Sequence, residues 1–137
     1  MLTILHAVEW RAQDYPITIA ELRSVAKEFD RLLSEKERNG LVDFLACNPE
    51  VGDIMPGTGG VRKMRWPCAS KGKSSGLRVL YYFHDLNLPL YILAVYSKGE
   101  ILRLTVREER EMAKLVKVLV QTYTDRKKER ADAKGSA

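Results

Sequence analysis

Apolar residues at Leu22, Val25, Ala26, Phe29, Leu32 and Leu33 recur three and four apart, the spacing of one helical face, and predict a helix over roughly residues 23–33. Ser34 followed by Glu37 reads as a capping box, in which hydroxyl and carboxylate each satisfy a free backbone amide at the start of a second helix. Leu41, Val42 and Leu45 continue a buried stripe along that helix, and Asn48-Pro49 closes it. Ahead of this helical hairpin, Ile17-Thr-Ile-Ala is a β-branched run suited to a strand. After the turn-rich Pro56-Gly-Thr-Gly-Gly60, the alternation of Val61 to Trp66 predicts a strand with Val61, Lys63 and Arg65 on one side and Arg62, Met64 and Trp66 on the other. Pro67 to Gly76 is a hairpin connection of glycine, serine and lysine, and Leu77 to Phe83 resumes as a strand. His84 to Pro89 turns the chain again, and the continuous apolar run Leu90 to Tyr96 belongs at the centre of a sheet. Thr105 and Glu108 form a second capping box, after which Met112, Leu115, Val116, Leu119, Val120 and Tyr123 share one helical face.

Strand, helix, helix, three strands and a helix make an α+β protein: a small antiparallel β-sheet with a two-helix N-terminal hairpin and a C-terminal helix. The helices are expected on one face and the other face open to a ligand. A chain of 137 residues, 45% of them hydrophobic, suffices for one core without staples. Residues 17–123 form the expected domain. Residues 1–16 read as an appended arm, although Leu2, Ile4 and Leu5 also suit an extra strand. Residues 124–137, with mixed charges and no apolar anchor, are expected to fray as a flexible tail. The opening MLTILHAVEW lacks the basic start of a signal peptide, and the longest apolar run, Leu88 to Tyr96, is too short to cross a bilayer. A soluble cytoplasmic protein with no membrane partner is the expectation. Cys47 and Cys68 have no metal-binding spacing with His6 or His84, so both are expected as reduced thiols, with no metal or cofactor.

Charge sharpens this picture. Between Ile54 and His84 there is no acidic residue, while Arg62, Lys63, Arg65, Lys71, Lys73 and Arg78 are basic in a chain of net charge only +5. A cationic excess confined to one segment is suited to polyanions. Lys63 and Arg65, one strand repeat apart, are spaced to hold one phosphate, and Arg78 on the next strand adds a bidentate fork. If the ligand is RNA, such cations stabilise the charge that gathers on phosphate oxygens in the transition state. Crowded cations also lower a lysine pKa, which makes Lys63 or Lys98 a candidate general base. Lys71 and Lys73 read equally as a solvated loop or as RNA contacts. Trp66 reads as core rather than as a stacking platform, and His84 as a surface residue rather than a catalytic one. Gly57, Gly59 and Gly60 read as a tight loop with positive φ, since neither Gly-Lys-Ser/Thr nor a helix directly follows them to support a nucleotide loop.

Four ordered segments, Asn48-Pro-Glu-Val-Gly-Asp53, Gly57-Thr-Gly-Gly-Val-Arg-Lys-Met-Arg65, Gly72-Lys-Ser-Ser-Gly-Leu-Arg-Val-Leu-Tyr-Tyr82 and Tyr96-Ser-Lys-Gly-Glu100, resemble the successive signatures of RelE-type toxins, nearest the HigB branch. The resemblance runs in register from about Ile17 to Val120; Ile101-Leu-Arg-Leu104 is more apolar than the family's usual continuation. It implies a β-α-α-β-β-β-α fold. It also implies the toxin of a type II toxin–antitoxin system, an mRNA interferase that inhibits translation as a ribosome-dependent, metal-independent endoribonuclease. Attack of a ribose 2′-hydroxyl on the adjacent phosphate would give a cyclic phosphate and a free 5′-hydroxyl. The resemblance assigns Lys63, Arg65, Arg78 and Lys98 to the positions of catalytic basic residues, with Tyr96 beside them to stack on a base or orient a proton. Arg62, Lys71 and Lys73 are the expected RNA contacts, although Arg62, on the face opposite Lys63, reads more readily as pairing with an acidic neighbour or the antitoxin. The implied partners are the ribosome, mRNA and a cognate antitoxin, a DNA-binding protein acidic where it meets the patch. The alternative is a non-catalytic binder of the same fold, gyrase-directed like ParE-type relatives or restricted to holding its antitoxin. The cation set favours the ribonuclease, because a protein-binding surface has no reason to gather so many cations.

Overall fold

A computed structural model describes residues 2–7, 17–67, 76–97 and 104–135. In chain order the elements are β1 (Leu2–Ala7), β2 (Thr18–Leu22), α1 (Arg23–Leu32), α2 (Glu35–Cys47), β3 (Asp53–Ile54), β4 (Arg62–Trp66), β5 (Leu77–Tyr82), β6 (Leu90–Ser97) and α3 (Val106–Gly135). The capping signals act as local chemistry dictates. Glu37 N donates to Ser34 Oγ at 3.2 Å and Ser34 N to Glu37 Oε1 at 3.1 Å, so α2 starts one residue after α1 has closed on Leu33. Thr105 and Glu108 exchange the same pair of bonds ahead of α3.

The sheet has six strands in the order β1-β2-β6-β5-β4-β3. After β2 the chain passes through both helices to the far edge, then returns strand by strand through antiparallel β3, β4, β5 and β6. The three reversals from β3 to β6, added to the one between β2 and β3, make an even number and leave β6 parallel to β2, with Ile19 opposite Leu90, so the sheet is mixed and not the purely antiparallel one expected. β6 is central, as its unbroken apolar run requires.

Helices cover both faces, which corrects the expectation of an open one. On one side Val25, Phe29 and Leu32 of α1 and Leu41, Val42 and Leu45 of α2 pack on Ile19, Met64, Val79, Tyr81 and Ile92. On the other, Val116 and Leu119 of α3 pack on Val61, Leu80, Tyr82, Tyr91 and Leu93. The reason lies in β5 and β6, which are apolar on both faces and would expose a large greasy surface without α3. The register skips Leu93 between the pairs Leu80–Ala94 and Tyr81–Ile92, a bulge that lets Tyr91 and Tyr96 turn to the same α3 side although they are an odd number of positions apart.

The ends of the chain also differ from expectation. Leu2–Ala7 is no free arm but an edge strand paired antiparallel to β2, supplying partners to backbone groups that β2 would otherwise leave open. The tail expected to fray from Asp125 is helical as far as Gly135. Its lysines, arginines, glutamate and alanines are strong helix formers, with no glycine or proline to stop them before that point.

One polar pair is built into the α1–α2 side. Glu21 in β2 is fully buried, and Arg38 of α2 donates to its Oε1 while also reaching Asp30 at 3.4 Å and lying 5.3 Å over the Phe29 ring. Glu21 Oε2 has no partner. Burial, opposed by Arg38, pushes this carboxyl up to about 6.

Candidate phosphate-binding site

β4 and β5 pair so that Arg65 lies directly opposite Arg78, and Arg78 in turn opposite Tyr96 of β6. These three form one cross-strand row, and Lys63 is the next residue along β4 on the same face. Lys63 and Arg65 are exposed; Arg78 and Tyr96 are half-buried. Three of the four basic residues assigned to catalysis, with the tyrosine beside them, are therefore brought together at one end of the sheet. Lys98, Lys71 and Lys73 lie outside the described residues. The chain leaves the sheet at Trp66, re-enters at Leu77 and leaves again at Ser97, and Trp66–Leu77 and Leu77–Ser97 are register pairs, so all three points are at this same end.

Opposed like charges on adjacent strands repel. Arg78 adds a second cost, because its Nη1 is buried with no hydrogen-bond partner, and an unmet buried donor costs about 1–3 kcal/mol. An anion lying between the two guanidinium groups removes both penalties. Burial holds the Tyr96 phenol above its ordinary pKa, with the Arg78 charge pulling the other way, so the hydroxyl keeps its proton at neutral pH.

A groove of about 520 Å³ opens at the outer edge of β4 where two-residue β3 stops short, lined by Lys63, Arg65 and Arg78 together with apolar Phe44, Met64 and Trp66. Trp66 packs on Phe44 with ring centroids 5.3 Å apart at the rim of the core, as its reading as a core residue required. Asp53 also lines the groove and stands opposite Lys63 in the β3–β4 register. Sequence reasoning gave Asp53 no role. The signal was weak, a single acid closing a turn motif, because β3 is too short for any alternating pattern.

Arg62 is separated from the other cations. It points to the opposite side of β4, and its Nη1 donates to the carbonyls of Glu50 at 3.0 Å and Gly52 at 2.8 Å. From the same side Gly52 N donates to the Tyr81 hydroxyl at 2.8 Å. Arg62 and Tyr81 thus clamp the turn that delivers Asp53. A Cβ on Gly52 would sit 3.0 Å from the Tyr81 ring and 3.1 Å from Arg62 Cβ. Gly52→Ala is therefore expected to lower stability by about 1–3 kcal/mol, read by chemical denaturation, as overpacking does elsewhere. A variant as stable as the parent would show that the clamp has slack.

The glycine loop follows its expected form. Gly59 has φ +77°, and its Cα side abuts Ala113, whose Cα lies 3.3 Å from a built Cβ, so the loop seats α3 by close backbone approach. Buried Thr58 braces it, donating to Met55 O at 2.7 Å and accepting from Val61 N at 3.1 Å. His84 is exposed and shares a 2.9 Å hydrogen bond with the Tyr82 hydroxyl, away from the cation row. Among the described residues no cluster of three His, Cys, Asp or Glu is arranged to hold a metal ion, and no helix is long and apolar enough to cross a membrane. No protein-family model matches the chain.

Proposed function

We propose that the Lys63–Arg65–Arg78 groove binds an RNA phosphate and cleaves beside it, and that the chain is the toxin of a type II toxin–antitoxin pair acting on translated mRNA. The observation that carries this reading is Arg78, which stands opposite Arg65 across the β4–β5 pair and whose own buried Nη1 has no hydrogen-bond partner, an unmet donor that an anion in the groove would satisfy. The α+β architecture is compatible with this reading: with β1 and two-residue β3 set aside, the elements run β2-α1-α2-β4-β5-β6-α3.

In the proposed reaction the ribose 2′-oxygen attacks phosphorus, the bond from phosphorus to the 5′-oxygen breaks, and a 2′,3′-cyclic phosphate and a 5′-hydroxyl result. Arg65 and Arg78 hold the two non-bridging oxygens and bind them more tightly as charge gathers in the five-coordinate state. The 2′-hydroxyl must lose a proton as it attacks, and Asp53, opposite Lys63 on the groove wall, is an acceptor of the right kind. The departing 5′-oxygen gains a proton from a neighbouring cation, Lys63 having no carboxylate within ion-pair distance among the described residues. Tyr96 contributes a protonated hydroxyl beside Arg78. The ribosome supplies the bound message, and an antitoxin acidic at this patch would neutralise the same cations, so its affinity is expected to fall as salt rises.

Expression without a partner is the test. Growth is expected to stop within a generation, with messages cut only while they are being translated. Cuts in purified naked RNA, or intact messages on ribosomes, contradict the proposal.

A further inference from the structure

A second cationic groove lies at the other end of the α3 face. α3 has 30 residues and is therefore about 45 Å long, and beyond Tyr123 it carries no apolar side chain that could join the core. The charges of this half look mixed in sequence and are sorted by the helix. At 3.6 residues per turn, Tyr123, Arg126, Lys127 and Arg130 fall on one face, and Asp125, Glu129 and Asp132 on the opposite one. Asp125 is occupied there by Gln121 Nε2 at 2.8 Å.

The cationic face turns towards the sheet. Arg126, Lys127 and Arg130 line a groove of about 620 Å³ whose other wall is the Leu86–Tyr91 turn and the start of β2, and no acidic side chain lines it. Among the described residues none of the three forms an ion pair. Half-buried Tyr123 offers ring surface, and Tyr91, Thr18 and Asn87 offer polar groups on the walls. Burial and the nearby Tyr123 hold the Tyr91 phenol above its ordinary pKa, with Arg126 close enough to oppose them, so Tyr91 presents a protonated hydroxyl.

We propose that this groove is a second RNA-binding site, holding the phosphate backbone of a single strand against Arg126, Lys127 and Arg130 with a base on Tyr123. Cations that track a backbone beside an aromatic ring are the recurring composition of single-strand sites. An acidic peptide would use the cations and leave the ring idle. The groove lies on the same side of the sheet as the cation row: Tyr91 and Tyr96 both join the α3-side cluster and stand about 17 Å apart along β6 by strand rise. Only the ligand class is shared with the cleavage proposal, and the two are separable by measurement.

The experiment is fluorescence anisotropy of an unstructured single-stranded RNA of roughly 12 nucleotides, a length within the range of such sites, titrated with parent and variants over a salt series. R126Q/K127Q/R130Q keeps helix propensity, and circular dichroism verifies that it folds. This variant is expected to bind at least about tenfold more weakly near 0.1 M salt, with the slope of log K against log salt shallower by about 2, since each phosphate contact on a single strand contributes about 0.7. Lys127→Gln alone is expected to make the slope shallower by about 0.7. Unchanged affinity and slope in either folded variant overturn the proposal. So does displacement of RNA by a poly-glutamate peptide at equal charge concentration, which would assign the groove to an acidic protein. K63Q/R65Q/R78Q run in parallel separates the two sites: if it binds like the parent while the groove variant is weak, the second site stands and the first does not.

Discussion

Arg65→Ala is expected to slow cleavage of ribosome-bound message by about 100-fold or more, the loss seen when one donor to a developing oxyanion is removed. The size follows from where the side chain sits. Arg65 is exposed on β4, so truncation opens no cavity, and it relieves the repulsion with Arg78 across the strand pair. Stability should therefore stay within about 0.5 kcal/mol of the parent. Arg65→Lys keeps the charge and loses the fork, and its rate should fall between the two. Single-turnover cleavage on programmed ribosomes, paired with a melting curve, reads both quantities. Parental cleavage by a folded Arg65→Ala protein removes Arg65 from the chemistry.

The largest stability effect is expected at the buried pair. In the parent, the Glu21 carboxyl titrates near 6 in the fold against 4.5 as its ordinary value. Between those two pH values the folded chain holds more protons than the unfolded one, so stability falls as pH rises through that window, by about 2 kcal/mol in all. Arg38→Ala removes the charge and the hydrogen bond that oppose this rise, and the Glu21 pKa climbs further. At pH 7.5 the variant can lose at most about 2 kcal/mol more through protonation of Glu21, because the total cannot exceed that of neutralising an ordinary carboxyl at that pH. Loss of the guanidinium from the Phe29 ring adds about 1 kcal/mol, for a total near 3 kcal/mol at pH 7.5 and about 1 kcal/mol below pH 4.5. In Glu21→Gln/Arg38→Ala the pH dependence across this window should vanish. Denaturant unfolding at the two pH values gives the answer, and an Arg38→Ala loss that is the same at both would show that Glu21 is not what Arg38 protects.

Local chemistry was legible in the sequence wherever a signal and its consequence lie within a few residues. Both capping boxes, the helical hairpin and the alternation that puts Lys63 and Arg65 on one side of β4 are of this kind. What could not be read is set by long-range pairing. Nothing in Thr18–Leu22 or Leu90–Ser97 says that they pair in parallel; that follows from the number of reversals between them. The position of α3 on the second face depends on β5 and β6 being covered twice; the apolar run of β6 was read as central without that consequence, and β5 only as a strand.

At the candidate site the cations were legible as a class and their arrangement was not. A charge count cannot distinguish Arg62, which grips two carbonyls, from Arg78, whose Nη1 has nothing to grip. Asp53 enters the groove only because two residues of β3 pair with Arg62 and Lys63. The second groove was hidden by an alternation of charges in Asp125–Asp132 that separates into two faces only when wound at 3.6 residues per turn.

The most direct measurement is the chemistry of message ends after a brief pulse of expression. A cation cradle that cuts RNA through its own 2′-oxygen predicts new 5′-hydroxyl ends within translated reading frames, matched by 2′,3′-cyclic phosphates upstream, and neither from the Arg65→Ala protein. New ends carrying 5′-phosphates, ends spread over untranslated RNA, or no new ends at all would contradict it.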